Sequence, residues 1–528
     1  MIFKMIVEQE YIKKTTIIHR KKFAQFFTPE PIAQIMCDWL LQDDNFTTLL
    51  EPAFGLGIFS RIILKKKPGV HITGFDVDKN IYNIAKNNFI NNNNVKLYLE
   101  DYLHNDWNNK YDRIICNPPY LKFHDYENKK ALSEIKKKLN LHLTGFTNIY
   151  TLFLLKSIYQ LKEKGRIAYI IPSEFLNSDY GKNIKKYLIQ SNLLRHIIIF
   201  DFKENVFDNV LTTSSILLLA NDNVKENIQF SVISNKSELN DIRTIINNYP
   251  KSFGKTSIST KCIDPNIKWR KYYQIQQSKK YKNLIPFNQV AKVVRGIATG
   301  ANDYFTFNIE KIKRYNIKKE NLLPCITKSK DVNKPFFTKS NFITLKNDNA
   351  KIFLFDGTIN QDEYALKYIK FGEEKGVHKK YLTSKRNPWY SLENRPPSPI
   401  WVGVFNRTGL KFVRNEARIR NLTTFHCVYP ANNLFSKISI DLLFAYLLTD
   451  IAQQIFNDNR REYGDGLKKF EPNDLNNALM LDLSMLDKDT QEKIIKLYNE
   501  YRNSVLNDNE DKSIINKINN ILRKKYEA

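Results

Sequence analysis

Four short apolar runs in the first 120 residues each stop on a polar side chain, and that succession limits the chain to few architectures. Residues 47–50 run into Glu51, 70–75 into Asp76, 95–99 into Glu100 and Asp101, and 112–116 into Asn117. Stretches of helical periodicity separate them, with Ile32, Ile35, Met36 and Leu40 before the first run and Phe59, Ile62 and Ile63 after it. Strands alternating with helices are expected to form a parallel α/β sheet. In open sheets of that kind ligands bind beyond the carboxyl ends of the strands. One carboxylate at a strand end reads equally as an ordinary loop residue; four polar ends in order are much harder to obtain by chance. The rhythm continues through residues 165–172 and 215–219 and fades after Ala220. A domain change is therefore expected near residue 240, giving domains 1–240 and 241–528.

The ends of these runs carry the chemistry. The fourth stops in Asn117-Pro118-Pro119-Tyr120. Two prolines cannot continue a sheet, so an amide, a carbonyl and an aromatic ring collect at one strand end. Those groups suit a planar substrate with an exocyclic NH2, such as adenine. The Asn117 side-chain oxygen and the Pro118 carbonyl can each accept an amine hydrogen. That draws the nitrogen lone pair out of conjugation and makes it nucleophilic, while Tyr120 lies against the ring. Taken alone, the tetrapeptide also reads as a plain turn after a strand. The first run leads into Glu51-Pro52-Ala53-Phe54-Gly55-Leu56-Gly57, a glycine turn before a helix. A carboxylate at Glu51 suits a cationic or hydroxyl-bearing ligand better than a phosphate. Asp76 follows the turn by about 20 residues, the separation at which an acidic residue bonds ribose hydroxyls in dinucleotide folds. Asp101 can accept an adenine amine while Tyr102 or Leu103 packs on the ring. Upstream, Thr28 as N-cap with Pro29 at the first helical position fits a helix start.

Charge narrows the class of partner. The chain of 528 residues has 82 Lys and Arg against 55 Asp and Glu, a formal net charge of +27. Such a balance favours a polyanion, nucleic acid first, although an AT-rich genome also enriches Lys, Asn and Ile. Aromatic residues at 13% favour a folded, base-stacking protein over a basic disordered tail. The five cysteines form no CxxC pair and the eight histidines no HExxH or HxH spacing, so no disulfide framework and no metal are expected. No apolar run reaches the roughly 18 residues of a membrane span. Residues 1–14 hold Glu8 and Glu10 and no signal-peptide core. A soluble cytoplasmic protein is expected.

The sequence resembles the amino-methyltransferases of DNA that use S-adenosylmethionine, in the γ order, with cofactor motifs first and the target-recognition domain last. The matching stretches are residues 25–29, 49–57, 74–78, 100–103, 117–120, 148–150 and 165–173. The resemblance spans nearly the whole chain and is strongest in the first 220 residues. It implies a Rossmann-like catalytic domain and a mixed α/β recognition domain with C-terminal helices. Asn before Pro-Pro-Tyr implies an N6-adenine enzyme rather than an N4-cytosine one. Thr28, Glu51, Ala53, Gly55, Gly57, Asp76, Asp101 and Tyr102 would surround the cofactor, with Thr28 near its methionine part, Asp76 on its ribose and Pro119 facing the same pocket. Phe207 would hold a flipped base opposite Tyr120, with Phe202 as the alternative. Phe54 departs from many relatives and is expected to pack against the cofactor. The resemblance further implies duplex DNA as substrate and a cognate restriction endonuclease encoded separately; no PD…(D/E)xK nuclease pattern is evident. Asn-Pro-Pro-Tyr also occurs in methyltransferases acting on release-factor glutamines and on ribosomal RNA guanines, but those are usually shorter. A non-catalytic DNA specificity subunit needs no cofactor pocket.

The second half reads as a recognition domain. Residues 288–305 suggest a strand-turn-strand element similar to one in recognition domains of this family, from which Arg295 and Asn302 can reach DNA. Basic and aromatic side chains mix at 379–390, around Arg386, and at 459–469, around Arg460, Arg461 and Lys468, a mixture suited to phosphate contacts and base stacking. Near the C-terminus, residues 489–492 fit a capping box ahead of a helix with Ile494, Tyr498, Tyr501 and Val505 on one face. A second helix carries Ile514, Ile518, Ile521 and Leu522.

Overall fold

The apolar runs become strands within a residue of their expected limits: β1 (Thr48–Glu51), β2 (His71–Asp76), β3 (Val95–Leu99) and β4 (Tyr111–Cys116). The computed structural model describes residues 6–121, 125–145, 147–200, 214–224, 227–251, 256–406, 409–431, 438–462 and 468–528. Further strands follow as β5 (Leu161–Pro172), β6 (Leu194–Phe200), β7 (Ser214–Ala220), β8 (Asn227–Ile233) and β9 (Thr256–Ser259). Among the described residues these nine strands form one sheet in the order β3-β2-β1-β4-β5-β7-β6-β8-β9. β1 runs parallel to both β2 and β4, while β7 lies antiparallel between β5 and β6. Strand order therefore reverses between β1 and β4, the place where the flanking helices diverge and a crevice opens.

Helices cover both faces, which is why β6 and β7 are buried along their length rather than alternating. The first helices are α1 (Ile6–Lys14), α2 (Ile17–Lys22), α3 (Glu30–Leu40), α4 (Ile58–Lys66) and α5 (Lys79–Asn88). Successive strand residues go to opposite sides. Leu49, Ile115, Ala168 and Ile170 pack with α3 and α4, whereas Leu50, Ile114, Ile167 and Tyr169 pack with helix Ile149–Tyr159. α3 starts one residue later than the capping pattern indicated: Pro29 is its cap, no side chain caps it, and Pro31 lies in the first turn. The Thr28 hydroxyl is thereby left for another partner.

The chain passes from one compact unit to the other between Ile275 and Gln276, later than the composition change near 240. Residues 241–275 stay with the first unit because helix Leu239–Asn247 buries Ile242 and Ile246 in its core and β9 extends its sheet. The second unit is mixed α/β. Ala291–Arg295, Phe425–Pro430, Ile400–Gly403, Phe412–Asn415 and Phe336–Phe337 form a five-stranded sheet in that order. Helices Ile440–Leu447, Asp450–Asn457, Lys488–Leu506 and Ser513–Tyr526 share its largest core. Residues 288–305 are not a hairpin. Ala291–Arg295 pairs with Phe425–Pro430, and the chain then loops into a short helix, Asn302–Phe305. A Cβ on Gly296 would meet the Leu422 carbonyl oxygen at 2.2 Å, so only glycine lets the backbone leave the strand there. The first C-terminal helix is capped by Asp487, whose side chain accepts from the Thr490 N–H at 2.8 Å, two residues before the expected box. Its expected face is buried.

Trp39 of α3 ties this helix to the sheet. Its indole N–H lies 3.0 Å from the Ile167 carbonyl and 3.3 Å from that of Leu219, paired residues of β5 and β7. Truncating a buried Trp costs about 3–5 kcal/mol. Trp39→Ala should lower the unfolding free energy of the first unit by about that amount, measured by urea titration; a change within error would mean α3 is held by other contacts.

Candidate active site

Glu51, Asp76, Glu100, Asn117 and Pro119 meet at the carboxyl edge of the sheet, around a cleft enclosing about 780 Å³ of empty space including its mouth. The turn from β1 to α4 forms its floor. Gly55 and Gly57 have φ of +56° and +74°, left-handed values that favour glycine. Gly57 caps α4, and the turn is tied to β2 where the Gly55 N–H donates to Asp76 Oδ2 at 3.0 Å. Phe54 lines the cleft and is also packed into the sheet. It is 3% exposed, lies edge-on to Phe89 at 5.2 Å, and fills the space that Gly57 and Gly74 leave open. A Cβ on Gly74 would stand 2.4 Å from that ring.

Two of the carboxyls are unusual. Glu51 is buried, and its Oε2 accepts from the Ser60 N–H at 3.2 Å and from the Ser60 hydroxyl at 2.5 Å. Burial still pushes it up to about 8, against the pull of those bonds. Asp76 is pushed up to about 6, again by burial, although the Asp78 and Gly55 N–H groups favour its charged form. Both therefore need a donor or a cation to be comfortable as anions.

Asp101 behaves differently from its neighbours. Glu100 and Tyr102 line the cleft, but Asp101 does not. Its Oδ1 accepts from the Leu103 N–H at 2.9 Å, and its Oδ2 from the Tyr126 hydroxyl at 2.8 Å. Tyr102 is buried with its hydroxyl on Gln160 Oε1 at 2.6 Å. Ala53 lines the cleft between Glu51 and Phe54.

The Asn117 amide has a defined direction. Its Nδ2 donates to the Phe26 carbonyl at 2.8 Å and to the Thr28 hydroxyl at 3.0 Å. The Phe26 carbonyl can only accept, so the nitrogen must face it and the oxygen Oδ1 must point the other way. Pro118 is buried. The Tyr120 hydroxyl donates to the Ile170 carbonyl at 3.2 Å; its ring stacks on Phe26 at 5.9 Å and meets the edge of Tyr150 at 6.3 Å. Thus Phe26, which sequence reasoning passed over, orients the amide by its carbonyl and supports the ring by its side chain. Its place two residues before Thr28 is the signal that could have found it. Phe207, like Phe202, lies outside the described residues.

The second-unit candidates divide. Arg386 spends its guanidinium on carbonyls of the preceding loop, bonding Thr299 at 3.0 Å and also Ala298. Asn302 accepts from the Thr299 hydroxyl at 2.5 Å, so both hold the 296–301 loop together. Arg295 is half exposed and pairs with Glu393 at 3.0 Å. Arg460 is partly exposed. Arg461 and Lys468 stand in short strands, and their side chains lie outside the described residues. Among the described residues no cluster of three or more His, Cys, Asp or Glu is placed to hold a metal ion, and no helix is long and apolar enough to cross a membrane.

Comparison with known proteins gives the family. Residues 8–271 match the family model N-6 DNA Methylase, and residues 261–519 that of the C-terminal domain of Type II methyltransferase M.Eco57I. The chain is 56% identical over 522 residues to Type II methyltransferase M.AccI of Acinetobacter calcoaceticus, covering 98% of this chain and 96% of that protein. Type II methyltransferase M.HindII of Haemophilus influenzae is 25% identical over 418 residues, 75% of this chain and 73% of that protein. In fold it is similar to the DrdV–DNA complex, with a TM-score of 0.55 at 13% identity, and to the Type ISP restriction-modification enzyme LlaGI, at 0.54 and 14%. It covers 58% and 56% of those two solved chains, and 94% of its own length is matched in each. The chain belongs to the type II DNA methyltransferases of the N-6 DNA methylase family.

The raised carboxyls set a pH dependence. A carboxyl whose folded pKa exceeds its unfolded value binds a proton more tightly when folded, so stability falls as pH rises between the two values. For Glu51 that window runs from 4.5 to about 8, and for Asp76 from 3.8 to about 6. The ligand-free protein should lose unfolding free energy across this range, and Glu51→Gln should remove the part between pH 6 and 8. An identical pH profile in the variant would contradict the buried, proton-holding state of Glu51.

Proposed function

We propose that this chain transfers a methyl group from S-adenosylmethionine to N6 of adenine in duplex DNA, as the modification half of a restriction-modification system. The observation that carries the reading is the Asn117 amide, turned by Phe26 and Thr28 so that its oxygen is left as an acceptor beside the cleft. An adenine amine presents two hydrogens, and Asn117 Oδ1 and the Pro118 carbonyl are assigned as their acceptors. Holding both hydrogens localises the lone pair on nitrogen. No strongly basic side chain is required, because the proton leaves after transfer.

The cleft residues fit the cofactor. Its sulfonium carries a methyl group already activated for transfer, so the protein's task is alignment. Asp76, pushed toward its neutral form by burial, gains from the donors of a ribose. Glu51 gains from a cation, and Thr28 stands beside Asn117 near the methionyl part. Ala53, Gly55 and Gly57 let the backbone come close. Glu100 and Tyr102 border the place of the cofactor's adenine, and Asp101, whose Oδ2 accepts from the Tyr126 hydroxyl, is assigned to its amine. Pro119 faces both ligands.

Reaching a base inside a duplex requires its rotation out of the stack, at a few kcal/mol. Stacking on Tyr120, with Phe207 opposite, returns roughly 1–3 kcal/mol per base. Phe26 and Tyr150 brace the Tyr120 ring. The net charge of +27 suits the phosphate backbone. Arg295, Arg460, Arg461 and Lys468 are the cations assigned to it, while Arg386 and Asn302 shape the loop that follows Arg295. Cleavage of unmodified DNA is assigned to a separately encoded endonuclease.

Transfer of labelled methyl groups from S-adenosylmethionine to duplex DNA tests this directly. Removing one positioned hydrogen-bonding group in an active site costs about 10²–10³ in rate. Asn117→Ala should lose at least that much turnover while binding the cofactor as the parent does; normal transfer by the variant would refute the assignment. Asp76→Ala should instead raise the cofactor Kd more than about tenfold, a loss of about 1.4 kcal/mol, with turnover recovering at saturating cofactor. An unchanged Kd, measured by calorimetry, would remove Asp76 from the ribose site.

A further inference from the structure

Helix α1 brings to the cleft a side chain that no sequence pattern marked. Glu8 is 1% exposed and lines the cleft together with Glu51 and Asp76. One of its oxygens, Oε1, takes the Arg61 guanidinium, whose other arm holds the Leu56 carbonyl at the glycine turn. The second oxygen, Oε2, is buried and has no hydrogen-bond partner. A buried carboxylate oxygen without a donor is costly, and a fold keeps one where something else supplies the donor.

The helix is firmly placed. Tyr11, three residues on, is buried edge-on to Phe27 at 5.7 Å, in a cluster with Leu56 and Ile81. Its hydroxyl reaches Gln25 Oε1 at 3.0 Å. Asp78, just beyond β2, accepts from Gln25 at 2.6 Å and lies 2.7 Å from His19 Nε2. α1, α2 and the segment leading to Thr28 are thus pinned to the end of β2. The charge on Glu8 also opposes ionisation of Glu51, which makes the two carboxyls electrostatic neighbours.

The missing donor can be identified by elimination. A sulfonium has no N–H or O–H. Ribose hydroxyls fall to Asp76 at the end of β2, and an adenine amine to the end of β3. A primary ammonium has three N–H donors and a positive charge, and two carboxyls with a single guanidinium leave room for one cation. We propose that Glu8 binds the primary ammonium of the cofactor's methionyl part, jointly with Glu51. This rests on the reading of the cleft as the S-adenosylmethionine site.

The test compares two nucleosides on the full chain by calorimetry. S-Adenosylhomocysteine has the ammonium; 5′-methylthioadenosine keeps the adenosine and thioether but lacks the amino acid. Glu8→Gln, which preserves shape, should weaken S-adenosylhomocysteine at least tenfold and leave 5′-methylthioadenosine within twofold. Tyr11→Phe, which loosens the same helix without touching Glu8, should affect both nucleosides alike. Unchanged binding of both by Glu8→Gln would overturn the proposal, leaving Glu8 as the counter-ion of Arg61 alone. Equal weakening of both would overturn it too, because α1 would then only shape the cleft. Failure of the parent protein to bind either nucleoside would remove the cofactor reading itself, and the Glu8 assignment with it.

Discussion

The reversal of strand order between β1 and β4 is the constraint on which the site depends. Parallel strands on either side of that point send their helices in opposite directions, and no crossover covers the edge between them. Glu51 ends β1, Asp76 ends β2 and Asn117 follows β4, so a sheet built for burial exposes its polar termini at one place. The same edge explains why the carboxyls are raised. They are buried among side chains that pack the sheet, and that burial outweighs their own donors and holds Glu51 and Asp76 toward their neutral forms. A ligand that brings donors and a cation offsets that cost.

The second element is directional. An asparagine at a strand end can present either its oxygen or its nitrogen, and the two are chemically opposite. Here the choice is made by the Phe26 carbonyl, which accepts from Nδ2 at 2.8 Å, and by Thr28, whose hydroxyl is free because the helix cap falls on Pro29. The segment before α3 therefore does more than border the cleft. It decides which end of the Asn117 amide is left as an acceptor, and it carries Gln25, which bonds Asp78 and anchors the N-terminal helices.

Much of this was legible in the sequence because it rests on local signals. The first four strands are short apolar runs with polar stops, and β3 was readable to the residue. The capping positions were off by one or two residues where alternative caps stand nearby, as with Thr28 against Pro29 and Asp489 against Asp487. Phe54 lines the cleft as expected of its position, but its packing over Gly74 was not legible, because that glycine stands 20 residues away in the next strand. Arg386 and Asn302 were chosen for charge and loop position, yet a guanidinium satisfies loop carbonyls as readily as phosphates, and composition does not separate the two. Glu8 was invisible because its partner Arg61 is 53 residues away. No periodicity encodes such a contact.

The proposed function requires that the acceptor pair at Asn117 and Pro118 work on the amine of adenine. The most direct measurement is nucleoside analysis by mass spectrometry of duplex DNA incubated with the protein and S-adenosylmethionine. N6-methyldeoxyadenosine, confined to one sequence context, is expected. N4-methyldeoxycytidine as the product, or methyl groups found in RNA or protein but not in DNA, would contradict it.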